Sequence, residues 1–160
     1  MTSSLLVVRV GPYTFGAPTE AVTEILGQPP LTPLPRTPAV VAGMAVVRGQ
    51  PLAVLTVRPL IGLERVDAVL VLRWQGPGGV VLVAVDQVET LIIPGVELPS
   101  EAWAGLVPVD VMPLIVASYR HGNDWLWAWP PNLPDLLLRS VASTASVPSD
   151  LRAARAEVPS

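Results

Sequence analysis

Short runs rich in valine, leucine and isoleucine recur between glycine and proline punctuation, at residues 5–10, 43–47, 52–57, 69–72, 80–85, 114–119 and 125–129. Runs of this length and content read as strands. Several are apolar at both alternating positions, whereas a strand with one wet face alternates apolar with polar. Such strands must be buried on both sides. Sheets that fold on themselves as small barrels and also pack on one another meet that demand. The composition agrees, with 51% of residues hydrophobic and 14% charged, against roughly 25% charged in an average soluble protein. At 160 residues the chain is one ordinary domain, long enough to bury a proper core.

The order of signals across residues 31–63 narrows the topology further. Pro33 and Pro35 have no N–H to give to a ladder, so residues 31–35 form an edge strand or an extended arm. Pro38 opens a short helical turn that stops near Gly43. The apolar runs on either side of Arg48-Gly49 make a β-hairpin, and Arg58 to Leu63 reads as one more helical turn, closed by Gly62. Elsewhere helical signals are short: Thr19 is placed to cap a helix over 20–26, and Asn132 to cap one over 133–140 after the Pro130-Pro131 break. From Val141 the residues are small and polar, with too little apolar surface to offset the entropy of ordering. A folded domain over 1–140 and a disordered tail over 141–160 are expected.

Several function classes are disfavoured by residue inventory. There is no cysteine, so disulfides, thiolate nucleophiles and thiolate metal sites are out. No charge-free window reaches the ~18–20 residues that span hydrocarbon, and Met1-Thr2-Ser3-Ser4 lacks a basic leader region. The expectation is a cytoplasmic protein that is not membrane-inserted. A net charge of −3, no lysine and arginines spread singly along most of the chain argue against nucleic acid as a partner. His121, the single histidine, sits in His121-Gly122-Asn123-Asp124, which a hairpin turn explains. Asp86 and Asp110 could in principle form an acid pair, yet Asp86 ends a strand, where a helix or turn cap is the ordinary role. Gly76-Pro77-Gly78-Gly79 lacks the lysine of a phosphate loop. No catalytic residue, cofactor or metal is expected. Trp125, Trp127 and Trp129 alternate and share one face of a strand. They fill a core or form an exposed stripe for a partner, and both readings stay open on sequence alone.

Edge arm, helical turn, hairpin, helical turn: that order in residues 31–63 resembles the central segment of CheW-like coupling domains. The likeness runs over roughly 5–138. Residues 5–10, Gly11-Pro12, 13–17 and then 21–26 look like the family's opening hairpin and short helix; 68–73 and 80–85 with Asp86-Gln87-Val88 look like its second hairpin and V-D-x-V signature. The resemblance implies a mainly β protein of two small SH3-like five-stranded β-barrel lobes packed together, with short helices. It also implies a non-catalytic adaptor that couples a CheA-like histidine kinase regulatory domain to the coiled-coil tip of a chemoreceptor. Its implied partner-contacting residues are Arg48, Gly49, Glu24, Val22, Arg58 and Val54. Two departures stand out. The family usually has Asn-Leu where this chain has Val46-Val47, and Val-Asp-Leu-Arg where it has Leu55-Thr56-Val57-Arg58. They leave the fold expectation intact and keep open a divergent regulator of pilus motility or development. A barrel that binds a small ligand, or an enzyme, is the remaining alternative.

Overall fold

The computed structural model describes residues 4–27, 29–64 and 70–146. Ten strands form among them: β1 (Leu5–Val10), β2 (Tyr13–Pro18), β3 (Val22–Gly27), β4 (Val41–Val47), β5 (Gln50–Leu55), β6 (Leu70–Gly76), β7 (Gly79–Val85), β8 (Gln87–Ile92), β9 (Ala117–His121) and β10 (Asp124–Ala128). A single α-helix, α1 (Leu133–Ser146), follows them. The strands make two five-stranded sheets, ordered β8-β1-β2-β10-β9 and β3-β6-β7-β5-β4. Most neighbours are antiparallel, and each sheet has one parallel pair, β2 with β10 and β5 with β7.

Neither sheet closes into a barrel through its strands alone; irregular chain spans each gap. In the first sheet, the segment after β8 crosses to the far edge, where the Leu98 amide donates to the Ser118 carbonyl of β9 at 2.8 Å. In the second, the proline-rich arm after β3 lies along β4. Thr32 and Met44 exchange amide-to-carbonyl bonds of 2.7 and 2.9 Å. The expected extended arm is therefore present, and it serves as the closing piece of the second lobe. Gly43 makes this approach possible, because a Cβ there would lie 2.8 Å from the Thr32 carbonyl oxygen and its φ is +155°. Its neighbourhood is a bulge in the β4–β5 ladder, not the end of a helical turn. The helical turn expected from Pro38 reduces to one hydrogen-bonded turn, Val41 amide to Pro38 carbonyl at 2.9 Å.

Burial follows the two-faced pattern of the runs. Leu5 and Val7 of β1, with Leu126 and Ala128 of β10, fill the first lobe. Val54 of β5, Val71 of β6 and Leu82 of β7 fill the second. The alternate residues of the same strands, among them Leu6, Val8, Leu72, Trp74, Val83 and Val85, meet in one larger apolar layer between the sheets. Trp127 and Trp129 belong to that layer, Trp129 stacking on Phe15 with ring centroids 4.7 Å apart. Trp125 is half-buried against it and carries the Arg120 guanidinium 5.0 Å over its ring. The three tryptophans are thus core and its margin, and the exposed-stripe reading falls.

Four other expectations change. Residues 22–27 form a strand where a short helix was expected, because Val22, Thr23 and Ile25 are β-branched and suit a pleated edge. Thr19 caps no helix there; its hydroxyl pairs with Ser4 Oγ at 2.8 Å. Residues after Asp86 continue as β8, and the run at 114–119 splits into a 3-10 turn (Met112–Leu114) and β9. The turn after β5 forms as expected, over Arg58–Ile61 with Gly62 in the left-handed region. Helix α1 runs on to Ser146, so the boundary expected at Ser140 falls inside it. The rest of the expected tail, and the start of the strand expected from Ala68, lie outside the described residues.

Replacing Gly43 with alanine is expected to cost about 2 kcal/mol of unfolding free energy, from the clash with Thr32 and the unfavourable φ. Gly27→Ala is the control, since a Cβ there meets nothing within 4 Å. Urea denaturation of both variants is the measurement, and equal losses would refute the role given to Gly43.

Candidate functional site

The Arg48-Gly49 pair is the whole loop between β4 and β5, since Val47 and Gln50 already pair across the ladder. Both residues have positive φ, 50° for Arg48 and 82° for Gly49. That is the geometry of a two-residue hairpin loop whose twist matches the strands. Glycine adopts it freely, whereas an arginine is held there at a cost. The Arg48 side chain reaches Glu24 of β3, with Nη1 donating to Glu24 Oε2 at 2.9 Å and Nη2 to Oε1. In a flat sheet the two elements would be three or four strand spacings apart, roughly 14–19 Å, beyond one side chain. The fork therefore reports how tightly the second sheet is curled. Hydrogen bonding from Arg48 holds the Glu24 carboxyl below its ordinary range, aided by the charges of Arg48 and Arg73 and opposed by burial.

Glu24 also borders a groove where the sheets part. Leu6 of β1, Leu91 of β8 and Val22, Thr23 and Ile25 of β3 line it, with a volume of about 290 Å³. Ile25 is 46% exposed and Leu91 61% exposed. Two large apolar side chains are thus left open beside one another along its rim. Neither residue stands out in the sequence: the strand reading of β3 was missed, and β8 follows Asp86 without a break.

The expected contact residues thus divide into three groups. Arg48, Gly49, Glu24 and Val22 come together around the hairpin turn and the groove. Val54 is fully buried inside the second lobe and touches no outside surface. Arg58 is committed within the protein. Its Nη1 donates to Asp86 Oδ1 and Oδ2 at 3.0 and 2.9 Å, and its Nε to the Glu64 carbonyl at 2.7 Å. Asp86 Oδ2 also accepts the Gly11 amide at 2.7 Å, so the carboxylate caps a turn, as its position suggested. Thr56 is buried, and its hydroxyl accepts the Arg58 amide at 3.1 Å. Val46, at the position of the family's asparagine, is 63% exposed.

His121 pairs with Asp124 across the β9–β10 hairpin, and the Asp124 carboxylate accepts Arg9 Nη2 at 2.9 Å. That is the turn the sequence suggested. Among the described residues no group of three or more acidic or histidine side chains is arranged to hold a metal ion. No helix among them is long and apolar enough to cross a membrane.

The Glu24 carboxyl is expected to titrate below the ordinary carboxylate range in a carbon-detected NMR titration. Because its folded value is depressed, the stabilisation it lends is present above the unfolded value and lost as pH falls through the folded one. In Arg48→Met the midpoint should rise; a midpoint that stays put would mean that the ion pair does not form in solution.

Comparison with known proteins supplies the family. The model of the CheW-like domain matches residues 4–101. No curated protein matches. Among solved structures, the scaffolding protein TtCheW from Thermoanaerobacter tengcongensis superposes with a TM-score of 0.67 at 14% identity, over 81% of this chain and 85% of that one. At that identity the superposition speaks for the fold, and the family match covers more than half of the sequence. With its two five-stranded sheets in the arrangement of TtCheW, this chain belongs to the CheW-like domain family.

Proposed function

We propose that this protein is a chemotaxis-type adaptor that holds a CheA-like histidine kinase regulatory domain at the Arg48-Gly49 hairpin and the coiled-coil tip of a chemoreceptor in the groove between the sheets. The observation that carries this reading is the groove itself. It is apolar, open, bounded by strands from both sheets and edged by one carboxylate that is already tied to the hairpin turn. A helical tip presenting apolar anchors suits such a groove. The scaffolding role named for TtCheW is taken over as part of this reading.

The mechanism is geometric. Each interface need only be weak, because occupation of one raises the effective concentration of the other partner. A receptor that changes shape then biases the kinase through contacts both share. Such an adaptor uses no cofactor and works in the cytoplasm, where receptor tips and kinase meet. Val46 gives the neighbourhood of Arg48 an apolar character, which favours a partner with an apolar complement there and hence a specialised array.

Leu91→Asp and Ile25→Asp are each expected to weaken binding of a receptor-tip coiled coil at least about tenfold, as loss of a central apolar anchor does, while thermal unfolding stays cooperative. Arg48→Glu should weaken binding of the kinase regulatory domain and leave the groove's partner less affected. Calorimetric titration against both partners checks this, and parent-like affinities in all three variants would remove these surfaces from the interfaces.

A further inference from the structure

Asp86 is the single residue between β7 of the second sheet and β8 of the first. Each sheet sends it a bond. From the second comes the Arg58 guanidinium, in the turn that follows β5, at 2.9 and 3.0 Å. From the first comes the Gly11 amide of the β1–β2 turn at 2.7 Å, while the Asp86 amide donates to the Arg9 carbonyl of β1 at 2.8 Å. Leu63, at the end of the Arg58 turn, lies directly against Gly11. Arg58 is itself fixed at two further points, by the Glu64 carbonyl and by Thr56 Oγ1. The result is a polar joint where β7 of the second sheet runs into β8 of the first through a single residue, the shorter of two direct crossings, the other being residues 19–21 between β2 and β3.

We infer that Arg58 and Asp86 are a positioning pair that sets the angle between the two sheets, and through it the width of the groove lined by Leu6, Val22, Ile25 and Leu91. The apolar layer between the sheets holds them together but is non-directional, so it fixes their relative rotation less sharply than oriented hydrogen bonds do. The joint and the groove lie at opposite ends of the same strand pair: Gln87 pairs with Arg9 beside the joint, and Leu91 with Leu6 at the groove. From Asp86 to Leu91 the chain covers about 17 Å at ~3.3 Å per residue, so a rotation of about 5° at the joint moves the groove wall by about 1.5 Å. A groove that takes a helix by shape complementarity feels a shift of that size. Arg58, expected from the family resemblance to touch a partner, acts here from behind the surface.

The inference concerns the groove proposed above as the receptor-binding surface, and it is tested without a partner first. The chain has no cysteine, so a Thr23→Cys, Thr90→Cys pair places two nitroxide labels uniquely, one on β3 and one on β8, which border the groove from opposite sheets. Double electron–electron resonance reads their separation. The parent should give one narrow distribution. Asp86→Asn, which keeps an oxygen for the Gly11 amide but removes the charge facing Arg58, should shift its mean by about 2 Å or broaden it to a similar extent. Arg58→Lys should act in the same sense and carries the measurement if Asp86→Asn does not fold. Val47→Ala, a truncation inside the second lobe, is the control for lost stability and should leave the distribution unchanged. A parent-like distribution in the joint variants, or an equal shift in the control, would overturn the inference. Affinity for a receptor-tip coiled coil should fall about tenfold in the joint variants, a coupling of ordinary size. If the distance shifts but the parent binds no receptor tip, the positioning role stands and the groove's proposed partner is wrong.

Discussion

The apolar layer between the two sheets is what the rest of the molecule depends on. Each central strand serves two interiors at once. In β1, Leu5 and Val7 point into the first lobe, while Leu6, Val8 and Val10 point into the shared layer. In β7, Leu82 and Ala84 fill the second lobe, while Val83 and Val85 face the first sheet. Burying a side chain of this kind stabilises by roughly 1.5–3 kcal/mol, and the shared layer holds the bulkiest of them, including Phe15, Trp74, Trp127 and Trp129. Neither lobe has a wet outer wall on this side, so neither is a candidate for folding alone. The low charge content of the chain follows directly: strands with no solvent-facing side have nowhere to carry charged residues.

That saturation of the interior decides where function can reside. The interior strands have little surface left, which leaves turns, edge strands and the seam between the sheets. Arg48 lies in a turn, Glu24 on an edge strand, and Ile25 and Leu91 along the seam. The same constraint bears on the charged groups at the seam, of which Arg58 and Asp86 are each tied to several partners. Arg58 meets a carboxylate and a carbonyl through its side chain, and Asp86 satisfies a guanidinium and a backbone amide together. A partly buried ion that kept only one partner would lose more in desolvation than it gained.

Much of this was legible in the sequence, for reasons that differ from element to element. The hairpins were readable because Arg48-Gly49 and Gly76-Pro77-Gly78-Gly79 punctuate runs that are otherwise unbroken. The two-sided burial was readable because the runs do not alternate. Strand β3 was misread as a helix, since Val22, Glu24 and Ile25 fit either period over so short a stretch and Thr19 looked like a cap until Ser4 was seen to take its hydroxyl. The ion pair between Arg48 and Glu24 had no signature, because it depends on the curl of a five-stranded sheet and not on spacing in the chain. Val54 was assigned to a surface for a related reason. In a strand apolar on both sides, sequence cannot say which face meets the interior of the lobe and which the layer between lobes, and here neither is open.

The two departures from the family pattern have unequal physical weight. At position 56 a threonine stands where an aspartate is usual, yet its hydroxyl accepts the Arg58 amide at 3.1 Å and so performs the turn-capping work open to a short polar side chain. The charge that Thr56 lacks is not missed by Arg58, whose guanidinium is held by Asp86. Position 46 is different. An asparagine there would offer donors and acceptors beside the hairpin turn, whereas Val46 offers only exposed apolar surface. Nothing inside the protein compensates for that exchange, because nothing inside needs it; the strand pairs through its backbone regardless. The first substitution is absorbed by the fold. The second is passed outward, to the exposed surface beside the Arg48 turn, and it is there that this chain departs physically from the family's usual pattern.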